Sequence, residues 1–216
     1  MAGVPAPRRL LILVRAPRVG QAKTRLIPAL GAEGAALLHE RLTRHCVETL
    51  VPSRHWRTEL HCEPAVDEPL FREIARDFQV ELHPQVPGNL GQRMFGALAG
   101  AGLRTRFAVL IGTDCPLLTR RDIRTAFDRL EIGDDAVIGP AEDGGYYLIG
   151  LRRVDPVLFT DIAWGGDAVL AATRERLRHC RWAWSELESR WDVDRPADLA
   201  RLAQAAPLQH LLRGLR

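Results

Sequence analysis

Carboxylates stand at the ends of apolar runs in this sequence, and a carboxylate delivered that way can hold a cation. The clearest case is residues 107–119, FAVLIGTDCPLLT, where a short apolar run breaks at Gly112 and releases Asp114 into a Thr-Asp-Cys-Pro turn. Hard divalent cations prefer oxygen ligands, so Asp114 is a candidate metal ligand. Stabilising a turn before proline is its competing structural use. Asp192 and Asp194 flank Val193 and face the same way if that segment is extended. Asp194 is the second candidate ligand, and it also precedes Arg195-Pro196, where it could cap a helix instead. Glu142 and Asp143 precede Gly144-Gly145-Tyr146-Tyr147. A tight hairpin needs the glycines but has no need of two acids, so either acid is a candidate to orient or deprotonate an acceptor hydroxyl. Surface charge on a hairpin is the alternative.

Cations collect in residues 15–26, RAPRVGQAKTRL. Arg15, Gly20, Lys23 and Arg25 crowd a loop between an apolar run and a helix, a position suited to phosphate. Lys23 is the only lysine in the chain, which suggests a place where a compact ammonium suits better than a planar guanidinium. The loop is expected to be exposed. It is neither GxGxxG nor GxxxxGK(S/T), so no dinucleotide or P-loop fingerprint is present. Gly88-Asn89-Leu90-Gly91-Gln92-Arg93 offers close backbone approach to a base or ribose, with Gly88 and Arg93 as the contacts; an ordinary helix start explains it equally well. Cys115 beside Asp114 has no motif supplying a base, and the seven histidines show no spacing that suggests zinc.

These residues need a scaffold that brings strand ends together. Apolar runs predict strands over 9–14, 56–62, 80–83, 107–111, 136–139 and 146–151, with a weak one near 182–184. Helical patterns fall over 32–51, 70–78, 92–101, 122–130, 167–178 and 197–205, and a short terminal helix over 208–215. Leu37, Leu38, Leu42, Val47 and Leu50 form the stripe of the first helix, and Thr119 with Asp122 makes a capping pattern for the fourth. Strands alternating with helices imply an α/β domain over residues 1–216 with a mostly parallel sheet. Residues 136–151 add an antiparallel hairpin. In such sheets ligands bind at the carboxyl ends of strands, where the acidic and basic loops would lie.

Composition fits this picture. The 216 residues are 46% hydrophobic and 26% charged, with a net charge of +3. That balance permits a phosphorylated ligand but shows no concentrated basic and aromatic surface for nucleic acid. No apolar run reaches membrane-spanning length and no signal peptide is evident, so a cytoplasmic location without membrane partners is expected. The four cysteines are scattered and read as reduced thiols.

Five stretches in order carry a resemblance across nearly the whole chain: residues 15–26, 88–94 (GNLGQRM), 111–119 (IGTDCPLLT), 139–150 (GPAEDGGYYLIG) and 192–199 (DVDRPADL). They resemble a bacterial family of nucleotide-diphospho-sugar transferase-like proteins, often labelled arsenosugar-biosynthesis-type glycosyltransferases. The resemblance implies a GT-A-type α/β sandwich, Asp114 and Asp194 as metal-binding acids, and Lys23 and Arg25 in a phosphate-facing loop. Arg15 stands where the family commonly has lysine, Asn89 where aspartate is usual, and Trp164-Gly-Gly-Asp167 in place of a common Trp-Ser/Thr segment. The activity implied is Mg²⁺- or Mn²⁺-dependent glycosyl transfer from a nucleotide sugar to a small-molecule acceptor. A nucleotidylyltransferase releasing pyrophosphate from a nucleoside triphosphate is the enzymatic alternative, and a non-catalytic nucleotide-binding protein is the alternative of another class.

Overall fold

The computed structural model describes residues 8–51, 53–102 and 105–215. Seven strands form one sheet: β1 (Arg8–Arg15), β2 (Arg57–Glu63), β3 (Glu81–Pro84), β4 (Phe107–Ile111), β5 (Ala136–Pro140), β6 (Tyr146–Leu151) and β7 (Trp184–Glu186). Their order is β3-β2-β1-β4-β6-β5-β7. All run the same way except β6, which pairs antiparallel with both β4 and β5. The mostly parallel α/β sheet and its hairpin are therefore as expected from the sequence.

Strand alternation explains the two layers. Leu10, Ile12 and Val14 of β1 pack with Val109 and Ile111 of β4 into one apolar cluster, alongside residues of α1 (Ile27–Leu50), α2 (Pro69–Phe78) and α4 (Arg120–Ile132). Leu11, Ala108 and Leu110 face the other side, in a cluster with α3 (Leu90–Gly102) and α5 (Val169–His179). Both faces are covered, as a buried parallel sheet requires. A third cluster joins α1, α6 (Pro196–Gln204) and the terminal 3₁₀ segment Ala206–Leu212.

Several boundaries move for local reasons. The first helix starts at Ile27 with Pro28 in its first turn, but Gly31 leaves helical geometry (φ 69°, ψ 168°), so the regular helix begins after Gly31, near the expected start. Leu37 is 39% exposed and lies off the apolar stripe, whereas Leu38, Leu42, Val47 and Leu50 are buried. The last strand is Trp184–Glu186 rather than 182–184, because Trp182 packs into the core just before it. The tail folds as 3₁₀ turns that bury Leu208 and Leu211. Thr119 and Asp122 form the reciprocal cap of α4, with Thr119 N donating to Asp122 Oδ2 at 2.8 Å.

From β1 the chain crosses to β2 on one side, while β4 flanks β1 on the other. Between the carboxyl ends of β1 and β4 lies the topological switch point of the sheet, the position where open α/β sheets bind ligands.

Candidate active site

At that switch point a cavity of about 540 Å³ opens. The basic loop after β1 contributes Arg15, Lys23 and Arg25 to its lining, the loop after β4 contributes Asp114, and the segment before α6 contributes Asp192 and Asp194. Asp143 and Tyr146 enter from the β5–β6 hairpin. Leu90, Met94, Trp164 and Val169 form an apolar side.

Contacts among three segments far apart in sequence close the site. Val193 N donates to Asp114 O at 2.9 Å. Lys23 Nζ donates to Val193 O at 2.5 Å and pairs with Asp114 Oδ1 at 2.7 Å. The lone lysine thus pins the β4 loop to the 192–194 segment. Its side chain is only 3% exposed, although its loop was expected to be open to solvent. Its backbone lies in the left-handed region (φ 49°, ψ 43°), an unfavourable conformation for a non-glycine residue that the surrounding contacts must sustain. Arg25 pairs with Asp194, and Arg15 Nε with Glu63 Oε2 at 2.5 Å.

The acids differ in electrostatic setting. The Asp114 carboxylate opens onto the cavity yet is ringed by protein, so burial pushes its pKa upward, but Lys23, His39 and Arg15 outweigh burial and hold it below the ordinary aspartate range. At Asp192 the balance reverses, with Lys23 offsetting only part of the upward push. Burial first, then the neighbouring charges of Asp114 and Asp143, raise its carboxyl to about 7. Its Oδ1 is buried without a hydrogen-bond partner. A buried, orphaned carboxylate oxygen beside a second carboxylate is the donor arrangement that a divalent cation satisfies. The spacing of Asp192 and Asp194 about Val193 pointed to this side chain, but sequence reasoning gave the ligand role to Asp194 alone.

Asp194 does not cap α6. Asp198 Oδ2 accepts from Asp194 N at 3.0 Å and from Arg195 N at 2.7 Å, leaving the Asp194 carboxylate to Arg25. His39, absent from the sequence-based candidates, lines the cavity with Nε2 on Arg15 O at 3.0 Å, and burial lowers its pKa. Position within a long helix gave no signal for it. Cys115 is buried with its thiol pKa pushed up, chiefly by burial, which suits packing rather than nucleophilic chemistry.

The hairpin separates its two acids. Asp143 faces the cavity, with Oδ1 accepting from Gly145 N at 2.9 Å, while Glu142 turns outward into a two-pronged pair with Arg201 at 2.7 and 3.1 Å. Three other sequence candidates lie outside the cavity lining. Gly20 occupies a turn at φ 77°. Gly88, at φ 125°, and Arg93 belong to the start of α3, where Arg93 Nε donates to Gly88 O at 3.0 Å and Asn89 and Gln92 cap each other. The ordinary helix start describes that motif. The adjacent turn still matters, because Leu90 and Met94 reach the cavity. Trp164 packs so closely on Gly91 that a Cβ there would lie 2.3 Å from Trp164 Nε1.

Comparison with known proteins gives this fold and site a family. The profile of a family described as an uncharacterized protein conserved in bacteria (DUF2064) matches residues 46–166. A protein from Desulfovibrio desulfuricans G20, provisionally named a nucleotide-diphospho-sugar transferase, is 30% identical, with 96% of this chain and 91% of that one covered and a TM-score of 0.85. The chain belongs to this bacterial family of nucleotide-diphospho-sugar transferase-like proteins. The fold alone extends further. CMP:2-keto-3-deoxy-manno-octonic acid synthetase, solved with CTP, aligns at TM-score 0.58 and 11% identity over 94% of this chain and 99% of that one. Glucosyl-3-phosphoglycerate synthase from Mycobacterium tuberculosis, solved with Mn²⁺, UDP and glucosyl-3-phosphoglycerate, aligns at 0.54 and 12% identity over 96% and 79%. No curated protein matches the sequence. Among the described residues, no helix is long and apolar enough to cross a membrane.

Proposed function

We propose that the protein is a divalent-metal-dependent transferase that takes a glycosyl group from a nucleotide-diphospho-sugar and delivers it to a small-molecule acceptor. The observation that carries this reading is the convergence of Lys23, Arg15 and Arg25 with Asp114, Asp192 and Asp194 on one cavity at the sheet's switch point. Asp114, Asp192 and Asp194 would hold Mg²⁺ or Mn²⁺, and the orphaned Asp192 oxygen is the sign that this donor set suits a cation. A bound divalent cation would neutralise the diphosphate and stabilise the departing nucleoside diphosphate.

The protein's own groups supply the rest. Lys23 holds the acid-bearing segments in register and offers its ammonium to a phosphate oxygen. Arg15 and Arg25, half open to the cavity mouth, add charge for the diphosphate. Asp143, anchored by its bond to Gly145 N, is the acid positioned to accept the proton of an acceptor hydroxyl. Glu142, held by Arg201, is left to the surface. Trp164 and Tyr146 give the apolar side of the cavity ring surfaces on which a sugar or acceptor can stack.

The fold shared with a CTP-binding synthetase supports nucleotidyl transfer as the second reading, since a triphosphate would meet the same cations and acids. Thermal-shift profiling of nucleotides with and without Mn²⁺, followed by product analysis, tests both. Mn²⁺-dependent stabilisation by a nucleoside diphosphate, with nucleoside diphosphate released on transfer from a nucleotide sugar, is the expected result. Pyrophosphate release from a triphosphate would replace the first reading with the second. Tight nucleotide binding without turnover across broad acceptors would make the protein a binding module.

A further inference from the structure

The proposed reaction leaves the acceptor unnamed, and the cavity wall beside Asp143 narrows its chemistry. Charged lining groups come from the loops after β1 and β4, from the hairpin turn and from residues 192–194. The opposite wall is built by Leu90 and Met94 of α3 with Trp164 and Val169. Its floor is the sheet itself. Leu13 of β1 lines the cavity and is only half-buried, whereas Leu11, two residues earlier on the same face, is fully buried. An interior strand of a doubly covered sheet leaves an apolar side chain open here, where an apolar ligand body would complete the cover.

The polar atoms of this wall are already committed. Tyr146 OH donates to Met94 Sδ at 3.8 Å and also bonds Thr173, a side chain with no exposure. Trp164 Nε1 is shut against Gly91, where a Cβ would lie 2.3 Å away. The second glycine of the 88–91 turn thus seats the indole, whose ring stands edge-on to Tyr146 with centroids 6.5 Å apart. Among the described residues, no other side chain that α3, the 164–166 turn and α5 add to the lining carries a nitrogen or oxygen. The backbone of Gly165 and Gly166 is exposed at the rim. A polyol laid on this wall would bury hydroxyls without partners, whereas an apolar ring would gain contact.

Position ties the wall to the acceptor. Leu170 N donates to Gly144 O at 2.8 Å, and a Cβ on Gly144 would lie 2.0 Å from Asp167 O. The segment carrying Trp164 and Val169 is therefore clamped to the turn carrying Asp143, while the cations that face the diphosphate stand on the loop after β1. We propose, on the transfer reading above, that Trp164, Met94 and Val169 form the acceptor subsite and that the acceptor is an alcohol whose hydroxyl is carried on an apolar ring, not a sugar. In the step, the acceptor oxygen bonds to the anomeric carbon and its proton passes to Asp143. The bond from that carbon to the diphosphate oxygen breaks, and its electron pair leaves with the nucleoside diphosphate.

Benzyl alcohol, glucose and glycerol are the acceptor probes. Each is offered to the full-length protein with Mn²⁺ and a panel of UDP-, GDP-, ADP- and dTDP-sugars, and nucleoside diphosphate and glycoside are both quantified. The expected result is a kcat/KM for benzyl alcohol at least about tenfold above that for glucose or glycerol. Trp164→Ala should remove that preference, largely through KM, and Trp164→Phe, which keeps a ring, should retain most of it. The preference itself is read in the wild type, whether or not a variant folds. A wild-type preference for glucose or glycerol would overturn the proposal and leave the transfer reading intact. Equal losses of benzyl alcohol use and of nucleoside diphosphate affinity in Trp164→Ala would also overturn it, by giving the wall to the nucleobase. No nucleoside diphosphate released from any donor with any acceptor would instead defeat the transfer reading, and the acceptor assignment with it.

Discussion

Asp192→Asn tests the electrostatics of the cavity most directly. In the metal-free protein the Asp192 carboxyl is raised from 3.8 to about 7, first by burial and then by Asp114 and Asp143. At 1.36 kcal/mol per unit, ionising it in the folded state costs up to about 4 kcal/mol. The sign follows from proton counting. Between pH 4 and pH 7 the folded protein keeps this proton and the unfolded chain releases it, so its contribution to stability is full at the acid end and lost as pH rises through 7. An amide cannot ionise. With chelator present, Asp192→Asn should therefore exceed the wild type by roughly 2–4 kcal/mol at pH 8. At pH 5, just over one unit into that window, the excess should shrink to roughly 1–2 kcal/mol, the buried amide inheriting the same missing partner. Urea denaturation at pH 5, 6.5 and 8 measures the difference, in which the other titrating groups cancel. Adding Mn²⁺ should stabilise the wild type more than the variant. A stability difference that does not change with pH, or a wild type more stable at pH 8 without metal, would refute the reasoning.

Lys23→Ala should weaken nucleotide binding by about 1–3 kcal/mol, read by calorimetry. Because Lys23 is buried on Asp114 and Val193 O, the same variant should also lose at least about 1 kcal/mol of stability in metal-free buffer, and an unchanged melting temperature would contradict the pinning role. Asp143→Asn should lower turnover with little change in nucleotide affinity, whereas Glu142→Gln should leave turnover near wild type. Equal losses from the two would show that cavity position does not decide which acid acts. Gly144→Ala should cost at least about 2 kcal/mol, visible in thermal unfolding, because its φ is 89° and a Cβ would lie 2.0 Å from Asp167 O.

By itself the sequence determined the order of strands and helices, the hairpin and the charged loops at the carboxyl ends of strands. Those features are written in local patterns: apolar runs such as Phe107–Ile111, the Thr119–Asp122 cap and the glycines at 144 and 145. Charge and spacing also drew Lys23, Asp114 and Asp194 from the chain before any contact was known. Direction and depth were decided only by tertiary structure. Adjacent in sequence, Glu142 and Asp143 diverge because the turn sends one to Arg201 and the other into the cavity. Lys23 reads as a loop cation, yet it is buried because Val193 and Asp114 arrive from distant segments to receive it. The Asp192 carboxyl is raised to about 7 only when the fold buries it and gathers three other carboxylates around it. Local propensity is a property of neighbours along the chain, whereas desolvation and coordination depend on neighbours in space, and those are set when the sheet closes its pairings.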